Sequence, residues 1–543
     1  MINRMLTKQQ KQSYRAELFK HLDGIVTAPT VTSLYENKVI EFLSKLKDPV
    51  EINEISSKFN TNPGYLNVAL RILSSQGWLN YKVDNKKNTI TLSRNNNTVK
   101  LNEFAHLYIP VKNFLKKTEK TGLAALNKEI VNTLIQNFTE FQKAGSEFEN
   151  INPSNQKVYY QILKHLEGMI VGPLIVILGQ GGMFHKYFME ASFKPEEYHK
   201  EAKIFEEALN ILTKLSWFSK TNDTYSFTEK GLFFAKRASA YGVTVSYIPT
   251  LRNLDQLIFG DHLPLRTLEP NKPEPHVYRE MNVWGSGGAH AIYFKKIDEI
   301  ILSIFNKEPV AEQPKGILDM GCGNGAFLIH LYNLIEKQTL RGKNLDEYPL
   351  FLIGADYNQA ALKVTRANMI QADIWAKVIW GDISDPIQLE QTLKNDYNIK
   401  LKELLNVRTF LDHNRIWKQP KEEPTFISKS TGAFAFKGKT LNNNEVEQNL
   451  TEHLSLWKPY VEKFGLLVIE LHTTPPDLTA KNLGKTAATA YDATHGYSDQ
   501  YIVEIDVFEQ AAERAGLYIN KESFAKFPDS ELASISICLL KGS

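Results

Sequence analysis

Two patterns of apolar spacing divide the chain. Up to about residue 250 apolar residues recur at helical spacing, whereas from residue 316 short continuous apolar runs alternate with amphipathic stretches. A short apolar run bounded by glycine or polar residues reads as a buried strand, and apolar positions three and four apart read as a helix packed by one face. The second half therefore predicts a doubly wound, mostly parallel sheet of seven strands. Its strands are the apolar run ending on Asp319, YPLFLIGADYN ending on Asp356, AKVIWGDIS ending on Asp382, LLNVRTFL and GLLVIELHTTPP, with ESFAKFPDS and ASISICLLKG as a closing antiparallel pair. AFLIHLYNLIE, VEQNLTEHLSLWKPYVEKFG and VEIDVFEQAAERAGL between them are spaced as helices.

The first half carries a weak internal repeat. HLDGIVTAP (21–29) is answered by HLEGMIVGP (165–173), and NPGYLNVALRILSSQGWLNYK (63–82) by HKEAKIFEEALNILTKLSWFSK (199–220). In the second pair a helix runs into Trp78 or Trp217 and then into a polar hairpin. Helix, helix, helix, hairpin is the order of a winged helix. The expected organisation is a winged-helix-like helical domain at 1–146, a second such unit at 156–250, a linker or lid at 251–310 and an α/β domain at 311–543, with a linker near 147–155. Gly285, Gly287 and Gly288 are expected to interrupt any helix in the lid, which would bring His276 and His290 toward the site.

Composition narrows the partners. At 543 residues the chain exceeds what one core organises. Lys plus Arg number 64 against 61 Asp plus Glu, so bulk charge gives no reason to expect nucleic acid. The candidate recognition helix at 65–77 carries a single base, Arg71, where groove contacts would need several. Two cysteines exclude a disulfide scaffold and suit a reducing compartment. The N-terminus lacks the apolar core of a signal peptide, and the apolar run at 169–178 is too short to span a bilayer. A cytoplasmic protein with no membrane or nucleic-acid partner is the expectation, with a homodimer in view.

The chemistry concentrates in GILDMGCGNGAFL (316–328). Glycine permits positive φ or the close approach of a ligand, and the turn delivers that ligand to a helix N-terminus. A glycine-rich turn alone would also suit a dinucleotide. Asp356 at the end of the second strand can accept both ribose hydroxyls, and Asp382 at the end of the third can accept from an adenine amino group. These acidic strand ends, with D-x-G-x-G-x-G on the first, resemble a class I S-adenosylmethionine-dependent methyltransferase. Asp319, Gly321, Gly323, Gly325, Asp356, Asp382 and Ile383 are the expected cofactor residues.

The acceptor side is crowded. Arg408 lies on the fourth strand, with Asp412, His413, Asn414 and Arg415 after it. Glu470 and His472 end the fifth, and Asp492, His495, Asp499 and Gln500 return over the same edge. In open α/β sheets the ligand sits at that edge. Methyl transfer to a hydroxyl needs one general base, commonly histidine. The surplus suggests either such a base with orienting partners or a mononuclear metal held by histidine with glutamine or carboxylate.

VRTFLDHNR, NLTEHLSLWKPYVEKFGLLVIELHTTPP and YDATHGYSDQYIVE resemble the methyltransferase domain of polyketide synthase loading modules of the apratoxin and saxitoxin type, over roughly residues 280 to 540. The resemblance implies methylation of the α-carbon of a malonyl unit on an acyl carrier protein. It also implies a mononuclear divalent metal beside the cofactor, iron or manganese. The expected ligands are His413, His472, His495 and Gln500, and the expected catalytic set is Asp412, His413 and Arg408, with Asp412 as base or as partner to a ligand. No carrier or acyltransferase domain is recognisable, so the carrier is expected on another polypeptide. Two alternatives stay open: a metal-free O- or N-methyltransferase of a small metabolite, and a winged-helix regulator that senses the cofactor.

Overall fold

The computed structural model describes residues 6–267 and 272–542, and for 288–292 the backbone alone. The side chain of His290 lies outside the described residues.

The alternating runs of the second half form one sheet. Its strands are β1 (Gly316–Met320), β2 (Phe351–Asp356), β3 (Lys377–Trp380), β4 (Leu404–Thr409), β5 (Leu466–Leu471), β6 (Leu517–Ile519), β7 (Ala525–Phe527) and β8 (Ile535–Gly542). They lie in the order β3-β2-β1-β4-β5-β8-β6, with β7 paired to β8. The pairs among β1 to β5 are parallel, and β8 runs antiparallel to β5, β6 and β7. β1 and β5 are buried at every position, which is why they read as unbroken apolar runs rather than as alternation. β6 has only three residues and gives too little pattern to be read as a strand. The chain leaves β1 toward β2 on one side and β4 pairs on the other, so the crevice for ligands opens at the carboxyl ends of β1 and β4.

In the N-terminal half the repeated HLxG motifs mark a crossing. Helices Lys8–Glu36 and Pro153–Gln180 meet where a Cβ on Gly24 would stand 2.3 Å from the His165 Cα, and one on Gly168 would stand 2.4 Å from the His21 carbonyl oxygen. Backbone touches backbone there, which only glycine permits. The repeated histidines are fixed alike: His21 Nδ1 lies 2.8 Å from the Tyr241 hydroxyl, and His165 Nδ1 lies 2.7 Å from that of Tyr108. Each unit then runs a helix, Pro63–Ser75 or Ala202–Lys214, into a buried tryptophan and a hairpin. The first hairpin, Asn80–Asp84 with Thr89–Ser93, gains Val50–Glu51 as a third strand.

The linker is short, and one expectation, in the lid, changes. Near 147–155 there is one 3-10 turn, Phe148–Asn150, between helices Lys128–Glu147 and Pro153–Gln180, the second capped by the Asn152 side chain accepting from Ser154 N. Helix Arg279–Phe305 runs unbroken through the glycines expected to interrupt it. Their use is packing: a Cβ on Gly285 would stand 2.5 Å from Val243 N, so the helix lies directly on the backbone of Ser239–Ser246. The helix Pro153–Gln180 is long and apolar enough to cross a membrane, but 89% of its apolar window is buried inside the protein. The N-terminal core also takes in Ala433, Ala435, Ala487, Ala490, Ala493 and Tyr497 from the α/β half, so the two halves share one interior.

Candidate active site

The cofactor side is built from backbone. Gly321, Gly323 and Gly325 take φ of +80°, +55° and +77°, the left-handed region that side chains resist. Gly321 N and Cys322 N donate to the Ala355 carbonyl at 2.7 and 3.1 Å, which pins the turn to β2. Gly323 N donates to Asp356 Oδ2 at 3.0 Å, and Asn358 N to Asp356 Oδ1 at 2.8 Å. Among the described residues nothing stands within 4 Å of where a Cβ on Gly323 would be, so the turn opens on space there. Asp319 is buried with Oδ1 unpartnered among the described residues, and burial together with the neighbouring Asp356 pushes its carboxyl up to about 7. Burial likewise raises Asp356. Asp382 accepts from Ser384 N at 2.8 Å, and the Ile383 carbonyl accepts from Trp457 Nε1 at 2.7 Å.

Glu274 and Arg279 lie over this turn and were not expected. Arg279 Nε donates to Glu274 at 3.0 Å, Asn358 Nδ2 reaches the same oxygen at 3.3 Å, and the Arg279 charge acts on Asp356. The only signal in the sequence was an acid and a base five residues apart. His276 sits 3.7 Å from Glu274, and burial pushes its imidazole down to about 4.

On the acceptor side the predicted residues separate into two groups. The rings of His413 and His495 meet edge to face, with centroids 4.9 Å apart and planes at 78°. His413 Nδ1 is held 2.6 Å from Glu470 Oε1, and its backbone N–H donates to the other carboxylate oxygen at 3.2 Å. His495 Nδ1 donates to the Tyr491 carbonyl at 2.8 Å. Each ring therefore keeps its Nε2 without a hydrogen bond among the described residues. Gln500, whose N–H donates to the His495 carbonyl at 3.0 Å, has a buried Oε1 without a hydrogen-bond partner among the described residues. Tyr247, from the N-terminal half, brings its ring to 6.4 Å from that of His495 and its phenol beside Gln500. Nothing in the sequence pointed to Tyr247, more than two hundred residues upstream.

His472, Asp412 and Arg408 do not join them. His472 has both ring nitrogens occupied, Nδ1 by the Val503 carbonyl at 3.0 Å and Nε2 by the Ser536 hydroxyl at 2.7 Å. No lone pair is left for a metal, so it departs from the expected ligand set. Asp412 accepts from Arg408 Nη1 at 2.5 Å and lies 2.9 Å from His453 Nε2. Burial alone would raise its carboxyl, but these two neighbours hold it well below the usual carboxylate range. An acid kept so firmly ionised is a poor base at neutral pH. Arg408 spends its charge on Asp412 and stacks over Trp457 at 4.1 Å, so the pair reads as a buried ionic hub below the site.

Among the described residues one other cluster has ligand-like spacing: Glu17, His21 and Glu167 between the crossing helices. Lys230 Nζ lies 2.8 Å from Glu17 Oε1 and Lys164 Nζ 2.5 Å from Glu167 Oε2. Two ammonium groups already neutralise the carboxylates, so this is an ion-pair network rather than a cation site.

Three family models match the chain in order: an AprA N-terminal domain at residues 14–81, an AprA winged helix domain at 167–261 and an AprA MT2-like domain at 274–538. No curated protein matches it. Among solved structures, an O-methyltransferase family protein from Burkholderia thailandensis is 10% identical, with a TM-score of 0.39 over 69% of this chain and 94% of its own. CalO1, a methyltransferase in calicheamicin biosynthesis, is 12% identical, with a TM-score of 0.34 over 72% and 100%. The CurJ carbon methyltransferase is 10% identical, with a TM-score of 0.33 over 80% and 99%.

Proposed function

From the premise that this chain carries an AprA MT2-like, S-adenosylmethionine-dependent methyltransferase domain behind AprA-type N-terminal and winged-helix domains, we propose that it methylates the α-carbon of a carrier-bound acyl group with the help of one divalent metal. The observation that carries the reading is the pair of neighbouring imidazoles, each with Nδ1 tied back and Nε2 unengaged, together with the orphaned oxygen of Gln500, whose backbone is bonded to that of His495.

The cofactor would lie on the glycine turn. Gly323 offers open backbone in the middle of the turn, Asp356 offers a carboxylate to the ribose hydroxyls, and Asp319 offers its orphaned oxygen. Asp382 and Ile383 would border the adenine. Bound there, the sulfonium supplies the methyl group.

The donor set also fits a metal. Histidine ligands are commonly oriented by a carboxylate or carbonyl on the other ring nitrogen, as Glu470 and the Tyr491 carbonyl do here. Burial, then the neighbouring His413, pushes His495 down to about 3, which keeps it neutral as a ligand must be and makes it a weak general base. His413, His495 and Gln500 would hold the ion, and two nitrogens with an amide oxygen suit a first-row divalent metal such as iron or manganese. When bound it would polarise the acyl oxygens and stabilise the enolate. The α-carbon loses its proton to solvent, its electron pair forms the bond to the methyl carbon, and the sulfur–methyl bond breaks to leave S-adenosylhomocysteine.

The test uses S-adenosylmethionine labelled with carbon-13 in the methyl group and a malonyl thioester on a phosphopantetheine carrier. The proposal requires a methyl resonance coupled to the α-carbon of the product. A methyl on oxygen or nitrogen would favour the metal-free reading, with His495 or His413 as base.

A further inference from the structure

We infer that Arg71 is a positioning residue for the His495 imidazole, supplied to the active site by the N-terminal unit; the inference rests on the reading of His495 as part of that site.

The helix that would read DNA in a winged helix, Pro63–Ser75, lies instead along the helix that carries His495, Ala488–Gly496, and its continuation. The contacts follow an antiparallel register, about one per turn. Tyr65 donates its hydroxyl to Asp499 Oδ1 at 2.8 Å. Val68 meets Gly496, where a Cβ would come within 2.8 Å of its Cγ2. Arg71 Nε donates to Asp492 Oδ2 at 2.9 Å, and the hydroxyls of Ser75 and Thr489 lie 2.9 Å apart. Residues 65, 68, 71 and 75 form one face of a helix. That face is covered, so the single base of the would-be recognition helix does not point outward.

Arg71 ties more than one helix. At 1% exposure it also donates from Nη1 to the Thr431 carbonyl and from Nη2 to Thr473 Oγ1 at 2.9 Å and the Thr474 carbonyl at 2.8 Å. Thr473 in turn donates to Asp492 Oδ1 at 2.5 Å. One guanidinium thus joins the loop after β4, the segment after β5 and the helix on which His495 follows Asp492 by three residues, less than one turn. Lysine could keep the charge on Asp492 but not the planar fork that reaches three segments. The ring of His495 is aimed by the tilt of its helix, and a misplacement of about 1 Å at a reacting centre can cost roughly 100-fold in rate.

The test compares Arg71→Lys with Arg341→Lys in the full chain. Arg341 is a second buried arginine, which donates to Gln313 and to the Pro314 and Tyr348 carbonyls beneath the amino end of β1. Both variants should lower the thermal midpoint. Arg71→Lys should bind S-adenosylmethionine as wild type does by calorimetry, lose roughly 10- to 100-fold in kcat on the malonyl thioester of N-acetylcysteamine with little change in KM, and show faster hydrogen–deuterium exchange confined to residues 488–500. Arg341→Lys should keep the wild-type kcat. If Arg71→Lys does not fold, Asp492→Asn, the other half of the same ion pair, is read in the same way. Equal turnover in Arg71→Lys and wild type, or a loss that merely tracks stability in both arginine variants, overturns the inference. If wild type fails to methylate the thioester, the substrate reading falls instead, and unchanged exchange over 488–500 in Arg71→Lys still overturns the role of Arg71.

Discussion

The two sides of the sheet's carboxyl edge are made in different ways. Apart from Glu274 and Arg279, the cofactor side is one continuous stretch, residues 319 to 383, and its geometry is local: three left-handed glycines, a turn pinned to β2, and carboxylates at strand ends. The acceptor side draws His413 from the loop after β4, Glu470 from β5, His495 and Gln500 from the returning segment and Tyr247 from the N-terminal half, with Arg71 bonded to Asp492 on the helix that carries His495. Backbone conformation sets the first side, and long-range contacts between buried side chains set the second. A change on the cofactor side should therefore act on binding, and one on the acceptor side on turnover.

The largest effect is expected where the two histidines that follow β5 part company. His495→Ala should lower methyl transfer by roughly 100- to 10,000-fold while the calorimetric affinity for S-adenosylmethionine stays unchanged, because several kcal/mol of polarisation at the acceptor is lost. His472→Ala should leave the turnover of folded enzyme nearly intact and cost about 1–3 kcal/mol of stability, since it strands the Ser536 hydroxyl and the Val503 carbonyl. Equal loss of turnover in both variants would erase the distinction between them.

A pH measurement sharpens the cofactor side. The Asp319 carboxyl is raised to about 7 from 3.8 by burial and then by Asp356. The folded chain holds a proton that the unfolded chain sheds. The resulting stabilisation is therefore complete below about pH 4 and is lost as pH rises through about 7. Between pH 5 and pH 8 the cofactor-free wild type should lose about 2–4 kcal/mol more stability in urea unfolding than Asp319→Asn. Asp23 in the N-terminal half is also raised to about 7 by burial, and it cancels because both proteins carry it. Parallel stability curves would show that Asp319 is ionised throughout. A smaller effect is expected of Asp356→Ala, which should weaken S-adenosylmethionine binding by about 1.5–3 kcal/mol with kcat at saturating cofactor little changed. Unchanged affinity in the folded variant would remove Asp356 from the cofactor site.

The same contrast explains what could be read from the sequence. Glycine at alternate positions after an apolar run can be interpreted without neighbours, so the cofactor turn, the parallel strands and the α/β class were legible. The histidines could be counted at the edge but not sorted. Whether His472 or His495 keeps a nitrogen unengaged depends on Ser536 and Tyr491, whose positions follow from strand register and helix tilt. Asp412 looked like a base because nothing local showed that Arg408 and His453 would hold its charge. The glycines at 285 and 242 sit far apart in the chain, and only their contact shows that they serve close packing and not a break in a helix.

The central claim is that the neighbouring imidazoles, rather than every histidine at the edge, hold a catalytic metal. Its most direct test is the metal content of wild type, His413→Ala, His495→Ala and His472→Ala, each purified without added metal, then chelated and reloaded with iron(II) or manganese(II). About one equivalent of metal is expected in wild type and in His472→Ala, with little in His413→Ala or His495→Ala while S-adenosylmethionine still binds both. Metal retained by His495→Ala and lost from His472→Ala, or full methyl transfer by the chelated wild type, would contradict it.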